Sequence, residues 1–341
     1  MSLRRLGEQG LIRRIREESA QAPAPGVRLG IGDDTAVLAL TAGATLLATT
    51  DLVIEDVHFR RAWAAPEDIG WKAMAVNLSD IAAMGGVPRW ALVGLAVPAD
   101  TAAEEVAAFY RGMRAAAAPH DVAIVGGDTS QSPQGCFVNV TLLGEHGGSP
   151  RLRSAARAGD AIAVTGALGR SAAGLAVLEL GVEAARGRGV PAAAADEVVR
   201  AHLRPHARVA EGRWLGEAAG VRAMMDCSDG LATDLGHICR ESGVGARVGV
   251  DRVPVDPAAA AAARALGRDP VSWATSGGED YELLLTCEPG RVEELARELR
   301  RATGTDLTVI GETVASGAEV VWLSGDGRPV SLTAGYEHFR G

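Results

Sequence analysis

Residues 72–85, KAMAVNLSDIAAMG, constrain the fold most strongly, because their apolar residues repeat at the spacing of an α-helix. At 100° per residue, Asp80 lies about 180° from Trp71 on this helix. The face around Asp80 carries Ala73, Asn77 and Met84 but no Glu, Arg or Lys, so we expect both sides of the helix to be covered. A carboxylate on a covered face must be paired or bound to a metal ion. We therefore expect Asp80 to belong to a polar or metal site.

Strand and helix patterns alternate outward from this helix in both directions. In the first half, strands are predicted over residues 45–50, 91–97, 122–125 and 137–143, and helices over residues 66–84 and 101–118. In the second half, strands are predicted over residues 161–164, 246–250, 281–286, 307–310 and 319–323, and helices over residues 229–241 and 291–301. A stretch rich in Gly, Ser, Pro and Arg at residues 147–159 separates the halves. We expect an α/β protein with mixed sheets in two domains, residues 1–148 and 149–341.

Composition and charge exclude several classes of protein. The 341 residues include 34 basic and 43 acidic side chains, and the net charge of −9 argues against a general nucleic-acid-binding protein. No apolar run approaches the ~18 residues of a membrane span, so we expect no membrane association. The cysteines form no CxxC pair, and we interpret all four as reduced core residues of a cytoplasmic protein: Cys136, Cys227, Cys239 and Cys287.

Aspartates beside glycine or small polar residues recur at predicted strand ends and helix starts. The six clusters are residues 30–34 (GIGDD), 49–51 (TTD), 77–80 (NLSD), 126–129 (GGDT), 226–230 (DCSDG) and 277–280 (GGED). Each cluster alone has a local explanation, because Asp in turns accepts nearby backbone hydrogen bonds and Asp229 could be a helix N-cap. Six clusters in one acidic chain weaken that explanation and favour a shared site.

The oxygen-rich clusters favour a hard cation such as Mg²⁺, which prefers carboxylate and hydroxyl ligands and commonly bridges to substrate phosphates. Zinc would call for His or Cys at ligand spacing, and neither HxxxH nor CxxC occurs. The pattern therefore suggests several Mg²⁺ ions holding polyphosphate oxygens. Phosphoryl transfer by positioning and electrostatic stabilisation is the reaction class that fits such a site.

Familiar phosphate-binding and hydrolase motifs do not occur in the sequence. There is no GxxxxGK[ST] loop, no protein-kinase HRD or DFG and no GxSxG elbow. Residues 166–171, GALGRS, follow a predicted strand and open a helix, so they either cradle a phosphate or allow close packing of helix on sheet. His58 has two interpretations as well, a structural residue or a catalytic one. Lys72 is the only lysine, so any other basic phosphate contact must come from arginine.

Taken together, these motifs resemble those of the thiamine-monophosphate kinase family. The matching segments follow the family's order over nearly the whole chain: residues 32–36 (GDDTA), 49–51 (TTD), 57–59 (VHF), 72–85, 126–129 (GGDT), 165–169 (TGALG), 226–231 (DCSDGL), 277–283 (GGEDYEL) and 335–339 (GYEHF). The runs at residues 77–85 and 277–283 are the most specific of them.

The resemblance implies an activity and an architecture. The activity is the ATP-dependent phosphorylation of thiamine monophosphate to thiamine diphosphate. The fold would be that of aminoimidazole ribonucleotide synthetase, with an N-terminal ATP- and metal-binding domain that forms a homodimer through its sheet and a C-terminal α/β domain behind it. Because the acceptor already carries an anionic phosphate oxygen, we expect direct in-line transfer assisted by Mg²⁺, without a phosphoenzyme.

The resemblance also implies roles for individual residues. Magnesium ligands would be Asp33, Thr49, Thr50, Asp51, Asp80, Asp128, Asp226 and Asp229. Contacts to ATP would come from Tyr110, Gly127, Asp128, Arg153 and Ser228, and contacts to thiamine monophosphate from His58, Glu279 and Tyr336. Asp51, Asp80 and Asp128 would be the catalytic carboxylates.

Two other functions remain open from the sequence. A related ATP-dependent ligase would phosphorylate an amide oxygen and let an amine displace the phosphate, so that phosphate is released rather than kept by the acceptor. A nucleotide or metal sensor without activity is a further alternative. So many carboxylates in one place argue against the sensor, because unpaired charges are costly to hold together without a ligand.

Overall fold

The computed structural model describes residues 3–19, 24–31, 35–315 and 317–332. The chain forms two compact units. Unit 1 comprises Met1–Ile81 and Gly86–Ser149, and unit 2 comprises Ala82–Gly85 and Pro150–Gly341. No helix in the described ranges is long and apolar enough to cross a membrane.

Unit 1 is built on a four-stranded sheet. Its elements are α1 (Leu3–Ser19), β1 (Val27–Leu29), β2 (Val37–Leu38), β3 (Thr45–Ile54), α2 (Pro66–Ala83), β4 (Val87–Val97), α3 (Ala103–Ala117), β5 (Ala123–Gln131) and β6 (Phe137–His146). The strand order is β3-β6-β4-β5, with β4 and β5 parallel and the other neighbours antiparallel. Strands β1 and β2 pair separately. The sheet is therefore mixed, as the sequence predicts.

Helices cover one face of this sheet. Ile81 of α2 contacts the backbone at Gly144 of β6, where any side chain would collide with Ile81 and the Val87 carbonyl. Helices α2 and α3 meet through Gly70 and Gly112, since a Cβ at either position would collide with the backbone of the other helix. Buried alanines, Met113 and Phe109 fill the space around this crossing. The helix that residues 72–85 predict is thus held on a covered sheet face.

The opposite face of the four-stranded sheet is only partly covered. Trp90 on this face packs with Val27 and Leu38 of the small β1–β2 pair. Leu46 and Leu52 on β3 remain 46% and 47% exposed. A row of exposed apolar side chains on a sheet is typical of an interaction surface.

Unit 2 contains a seven-stranded sheet and most of the remaining helices. Its elements are β7 (Ala161–Thr165), α4 (Arg170–Leu180), α5 (Val182–Gly187), α6 (Ala192–Leu203), α7 (Val209–Glu217), β8 (Val221–Asp226), α8 (Leu231–Ser242), β9 (Gly245–Gly249), α9 (Pro257–Leu266), α10 (Pro270–Ser276), β10 (Leu283–Cys287), α11 (Val292–Thr303), β11 (Leu307–Val314), β12 (Val320–Leu323) and β13 (Pro329–Val330). The order is β13-β12-β9-β11-β7-β10-β8, and β12 and β9 are its parallel pair.

Apolar side chains pack on both faces of this sheet. Leu235 and Ile238 of α8 share one cluster with Val164 and Met225 of the strands. Leu215 of α7 packs on the other face with residues of α11 and the strands. Helices α4, α6 and α9 form a further alanine-rich cluster of their own. Alternate residues of a strand point to opposite faces, so a strand that is buried on both faces, such as β10 (LLLTC), is mostly apolar.

Candidate functional site

Strand β3 and helix α2 bring three of the predicted ligands to one face of unit 1. The hydroxyl of Thr49 donates a hydrogen bond to the Asp80 carboxylate. Asp51 lies two residues further along β3, on the same face as Thr49, and its Cα partner on β6 is the buried Val140. All three side chains are partly buried. Asp80 therefore lies in a polar setting on a covered helix, where its neighbours supply oxygen atoms.

Thr50 and Asp128 belong to the opposite face of the same sheet. The Thr50 and Thr141 hydroxyls are 3.0 Å apart and share a hydrogen bond. The register sets Asp128 level with Gly94 and Asn139, which is one residue out of phase with Asp51. The Asp128 side chain is exposed. Within the described part of unit 1, the structure thus gathers Thr49, Asp51 and Asp80 but not Thr50 or Asp128 with them.

Gly127, a predicted ATP contact, has a backbone that only glycine adopts easily. Its φ is 147°, and a Cβ there would collide with the Val93 carbonyl oxygen of the neighbouring strand. Gly127 is exposed at this point of β5, and it has no side chain to cover its main chain. A ligand could therefore approach the main chain of residues 126–128 closely.

His58 follows β3 in a loop that other groups hold in place. The Ile54 amide donates to His58 Nδ1 at 3.1 Å, so this nitrogen is the acceptor and any ring N–H is on Nε2. Lys72, 2% exposed on α2, donates to the His58 carbonyl oxygen at 3.3 Å. The ring orientation is therefore fixed by the backbone, and the buried Lys72 fixes the loop that carries it.

In unit 2, the loop after β8 carries the second group of predicted ligands. Asp226 ends β8 and is 2% exposed, whereas Ser228 and Asp229 are partly exposed. Helix α8 has Gly230 as its N-cap, at φ 109°, and no side chain caps it. The interpretation of Asp229 as a helix N-cap is therefore wrong, because Gly230 occupies the N-cap position and no side chain caps the helix. The Asp229 carboxylate therefore makes no capping hydrogen bond to the first turn of α8.

Asp234 on α8 is a buried carboxylate that the sequence analysis did not single out. The residue is fully buried, and no well-aligned hydrogen bond reaches either carboxylate oxygen among the described residues. Burial, followed by repulsion from Asp226 and Asp229, raises the pKa of Asp234 to about 8, with the Asp229 and Gly230 amides acting in the opposite direction. A cation near these three carboxylates would relieve the repulsion. Carboxylate oxygens are the donors that a hard metal ion prefers, with water or substrate oxygens completing its coordination.

We expect this group to make the metal-free protein less stable as the pH rises. A carboxyl whose folded pKa lies above its unfolded value holds its proton longer in the folded state, so the free energy of unfolding falls between about pH 4 and pH 8. The slope for one such group is at most about 1.4 kcal/mol per pH unit. Asp234→Asn should flatten the slope in chelator-treated protein, measured by denaturant unfolding at pH 5 to 8. An unchanged slope would contradict the buried-acid assignment.

Residues 277–281 lie against the loop at residues 227–229. The Glu279 amide donates to the Ser228 carbonyl at 2.7 Å, and the Tyr281 amide donates to the Cys227 carbonyl at 2.9 Å. Glu279 and Tyr281 have positive φ angles of 62° and 53°, which are unfavourable for residues with a side chain. Such strain persists where surrounding structure enforces it, and it is common at functional sites. The DCSDG and GGED clusters therefore lie in contact with each other in unit 2.

The Asp280 carboxylate decides between the two interpretations of residues 166–171, a phosphate cradle or close packing of a helix on the sheet. Its carboxylate accepts from the Gly169 amide at 2.6 Å and the Ser171 amide at 3.1 Å, at the start of α4. Burial raises the pKa of Asp280 to about 7, although both amides favour its charged form. The helix start is thus occupied by a carboxylate of the chain itself, and these two amides are not free for a substrate phosphate.

The remaining predicted residues have varied settings. Tyr110 on α3 is 2% exposed, and burial raises the pKa of its phenol. Arg153 is exposed, and its carbonyl accepts from the Ser242 hydroxyl at 2.8 Å. Asp33 and Tyr336 lie outside the described residues. Over the ranges that the structure describes, no three His, Cys, Asp or Glu side chains converge closely enough to hold one metal ion by themselves. Any Mg²⁺ would need water or substrate oxygens as well.

A buried ion-pair network in unit 2 was missed in the sequence analysis. Glu282, 1% exposed, accepts from Arg208 Nε at 2.7 Å and Nη2 at 2.6 Å, and from the Thr165 hydroxyl at 2.7 Å. Arg208 also reaches Glu211 at 3.3 Å. Glu282 lies within the conspicuous GGEDYEL run, but its partners are 74 and 117 positions away. No local pattern identifies partners at such a distance.

Two family models match the chain. The model described as AIR synthase related protein, N-terminal domain, matches residues 32–146, and the corresponding C-terminal domain model matches residues 157–324. The chain is 37% identical over 316 residues to the thiamine-monophosphate kinase of Bacillus subtilis, covering 92% of this chain and 94% of that protein. It is 38% identical over 322 residues to that of Escherichia coli K12, covering 92% of each.

Solved structures are similar as well. The thiamine-monophosphate kinase of Stenotrophomonas maltophilia K279a superposes with a TM-score of 0.80 at 36% identity, over 94% of this chain and 96% of that one. A structure described as AaThiL complexed with AMPPCP and TMP superposes with a TM-score of 0.76 at 32% identity, over 99% of both chains. The architecture of both units is thus one that solved proteins share.

Proposed function

Because the chain belongs to the thiamine-monophosphate kinase family, we propose that it transfers the γ-phosphoryl group of ATP to thiamine monophosphate and forms thiamine diphosphate. The observation that carries this proposal is the similarity over 99% of both chains to the AaThiL structure with AMPPCP and TMP. AMPPCP is an ATP analogue, and TMP we take as thiamine monophosphate. The two ligands together correspond to the two substrates of the proposed reaction.

Magnesium would bind to oxygen ligands in both units. In unit 1 we assign Thr49 and Asp51 on one sheet face, together with Asp80 of α2, which accepts from Thr49. Thr50 and Asp128 lie on the opposite sheet face, so they are assigned from the resemblance alone and would not bind the same ion. In unit 2 we assign Asp226 and Asp229, beside the buried carboxylate of Asp234. Asp33 is assigned from the resemblance alone. When bound, Mg²⁺ would neutralise the phosphate charges of both substrates.

We assign the contacts to the two substrates to residues of α3, of β5 and of several loops. For ATP we assign Gly127, Asp128, Arg153, Ser228 and Tyr110. Because the Tyr110 side chain is buried, this residue would contact ATP through its main chain, or through its side chain after a rearrangement. For thiamine monophosphate we assign His58, whose ring orientation is fixed, Glu279, on the strained loop, and Tyr336. Arg153 brings the guanidinium that the resemblance requires for a nucleotide phosphate.

We infer direct in-line transfer without a phosphoenzyme. The acceptor oxygen is an anion at neutral pH, so no general base is needed to activate it. The barrier arises mainly from bringing two anions together, which positioning and electrostatic stabilisation lower. His58 would be the candidate for a covalent intermediate, but its Nδ1 is engaged with the Ile54 amide. Asp51, Asp80 and Asp128 act by holding cations, not by attack on phosphorus.

The activity is tested by mixing the purified protein with ATP, Mg²⁺ and thiamine monophosphate and separating the products. We expect thiamine diphosphate and ADP in equal amounts, with no activity in EDTA. Release of inorganic phosphate in place of thiamine diphosphate, in the presence of an amine, would instead indicate the ligase. None of the relatives described above favours that alternative.

A second assay tests the transfer route. The protein is incubated with γ-labelled ATP and Mg²⁺ without acceptor, then denatured. We expect no label to remain on the protein. Stoichiometric label that disappears in His58→Asn would overturn direct transfer and support a phosphohistidine.

We also propose that the protein is a homodimer formed through the exposed face of the unit 1 sheet. Leu46 and Leu52 on β3 are about half exposed there, beside the polar pair Thr50 and Thr141. Burial of such a face by a second copy would remove apolar surface from water and cover the β3 edge. The proposed location is the cytoplasm, which the four free and buried cysteines support.

We expect the wild-type protein to have about twice the chain mass of 35.1 kDa by light scattering at micromolar concentration. Leu52→Arg would place a charge in the apolar interface, so it should shift the protein towards the monomer. Leu152→Arg is the matched control, because Leu152 is similarly exposed but belongs to unit 2 and not to this sheet. A wild-type monomer, or a Leu52→Arg dimer, would exclude this interface.

A further inference from the structure

A serine and a histidine from two helices of unit 2 meet at the carboxylate of Glu279. Ser171 lies in the first turn of α4 and is 2% exposed, and His202 lies in the last turn of α6 and is 6% exposed. The Ser171 hydroxyl is 2.9 Å from His202 Nδ1. Glu279 Oε2 is 3.3 Å from the same nitrogen and 3.5 Å from the hydroxyl. Neither Ser171 nor His202 belongs to the site residues assigned above.

The packing of α4 on α6 fixes this meeting. At Gly174, one turn beyond Ser171, a Cβ would collide with the Val198 carbonyl and lie 2.8 Å from His202 Cβ. The two helices can approach so closely only because residue 174 is glycine. The Ser171 amide is also held, since it donates to Asp280 next to Glu279. Both partners of the carboxylate are therefore rigid.

The distances define which groups donate. An ionised carboxylate only accepts hydrogen bonds, so His202 Nδ1 must carry a proton to interact with Glu279 Oε2. Ser171 can accept from this N–H and donate its own hydrogen to the carboxylate. All three groups are then satisfied with His202 in the Nδ1–H form. The arrangement is not a nucleophile triad, because serine and carboxylate share one ring nitrogen.

We propose that Ser171 and His202 are positioning residues that orient the Glu279 carboxylate towards the cationic, nitrogen-rich end of the acceptor. The inference rests on the proposed function, in which Glu279 contacts thiamine monophosphate. Glu279 has φ 62°, so its backbone is held in a strained conformation, and its amide is bound to the Ser228 carbonyl at 2.7 Å. With the main chain fixed, the hydroxyl and the ring N–H select the side-chain direction. A carboxylate that is oriented before the substrate arrives loses less conformational entropy on binding, so less of the binding free energy is needed to offset that loss.

The test compares His202→Leu, Ser171→Ala and Glu279→Gln with the wild-type protein in steady-state kinetics. For His202→Leu we expect the KM for thiamine monophosphate to rise roughly 10-fold, the size of one lost hydrogen bond to a charged group, with kcat and the KM for ATP nearly unchanged. Ser171→Ala should show the same pattern to a smaller degree. His202→Asn, which can present an N–H near the Nδ1 position, should restore much of the affinity. His120→Leu in unit 1 is the control and should leave every constant unchanged.

Double variants and direct binding separate positioning from a general structural role. In the Glu279→Gln background, His202→Leu should have little further effect, because the group that it orients has already lost its charge. Calorimetry with thiamine monophosphate and a non-hydrolysable ATP analogue should show the same loss of affinity without turnover. Equal loss of kcat and of both KM values, or full additivity in the double variant, would overturn the inference. If His202→Leu does not fold, Ser171→Ala decides by the same criteria.

The outcomes also distinguish this inference from the proposed function. A wild-type protein that neither phosphorylates nor binds thiamine monophosphate would overturn the function and, with it, the role of Glu279. A wild-type enzyme that is active, with a His202→Leu variant that keeps its affinity for the acceptor, would overturn the inference alone.

Discussion

Asp80→Asn should lose roughly 100- to 1,000-fold in kcat while the protein remains folded, because losing one strong electrostatic stabiliser of the transition state costs about this much. The substitution keeps the shape of the side chain but removes its charge and turns one oxygen into a donor. Thr49 donates to the Asp80 carboxylate, and an ionised carboxylate has lone pairs for more than one partner. Asp51→Asn should have a similar effect. The measurement is turnover with saturating ATP and thiamine monophosphate at increasing Mg²⁺.

The control for this prediction is Asp121→Asn. Asp121 is exposed after α3 and has φ 55°, a conformation that Asn tolerates as well as Asp does. The control should retain wild-type turnover and unfolding temperature. In the metal-free state, Asp80→Asn should be at least as stable as the wild type, because it removes one charge from an acidic site. Turnover within a few-fold of wild type at saturating Mg²⁺ would exclude a metal role for Asp80.

Local patterns were sufficient where short-range physics decides the structure. The apolar spacing of residues 72–85 predicts the helix, and α2 ends at Ala83, one residue before the predicted end. Strand β3 begins at Thr45 as predicted but continues to Ile54, because residues 51–54 pair with β6. Strand β5 likewise continues through Gly126 and Gly127 to Gln131. Glycine disfavours a strand locally, and the pairing with β4 overrides that preference.

The grouping of the aspartates could be predicted only in part. The sequence predicts that acidic clusters share a site, and the structure brings residues 227–229 and 277–281 into contact in unit 2, whereas a shared site stays a prediction. It cannot indicate that Asp128 is one residue out of phase with Asp51, because register depends on pairing between distant strands. Nor does any local pattern show that Asp280 occupies the start of α4, since its partners are 109 and 111 positions away.

Among the ion pairs of unit 2, we expect the loss of Glu282–Arg208 to lower the free energy of unfolding the most. Glu282→Ala should lower the free energy of unfolding by about 3–5 kcal/mol, because it leaves the guanidinium of Arg208 largely buried without its two-point partner. The Thr165 hydroxyl would lose its acceptor too. The Arg247–Glu312 pair is the matched control: its atoms are 3.8 Å apart, and both side chains are more than half exposed. Glu312→Ala should cost less than about 1 kcal/mol.

A double substitution separates the value of the pair from the cost of breaking it. Taking two charges out of water is costly, so a buried pair can contribute little net stability although the loss of one partner is severe. Arg208→Met combined with Glu282→Leu should therefore recover part of the stability that Glu282→Ala loses, in urea unfolding at neutral pH. Recovery would be incomplete, because Glu211 also contacts Arg208 and would lose that partner. If Glu282→Ala lowered the free energy of unfolding no more than Glu312→Ala does, solvent would have to reach the Glu282–Arg208 pair and screen its charges.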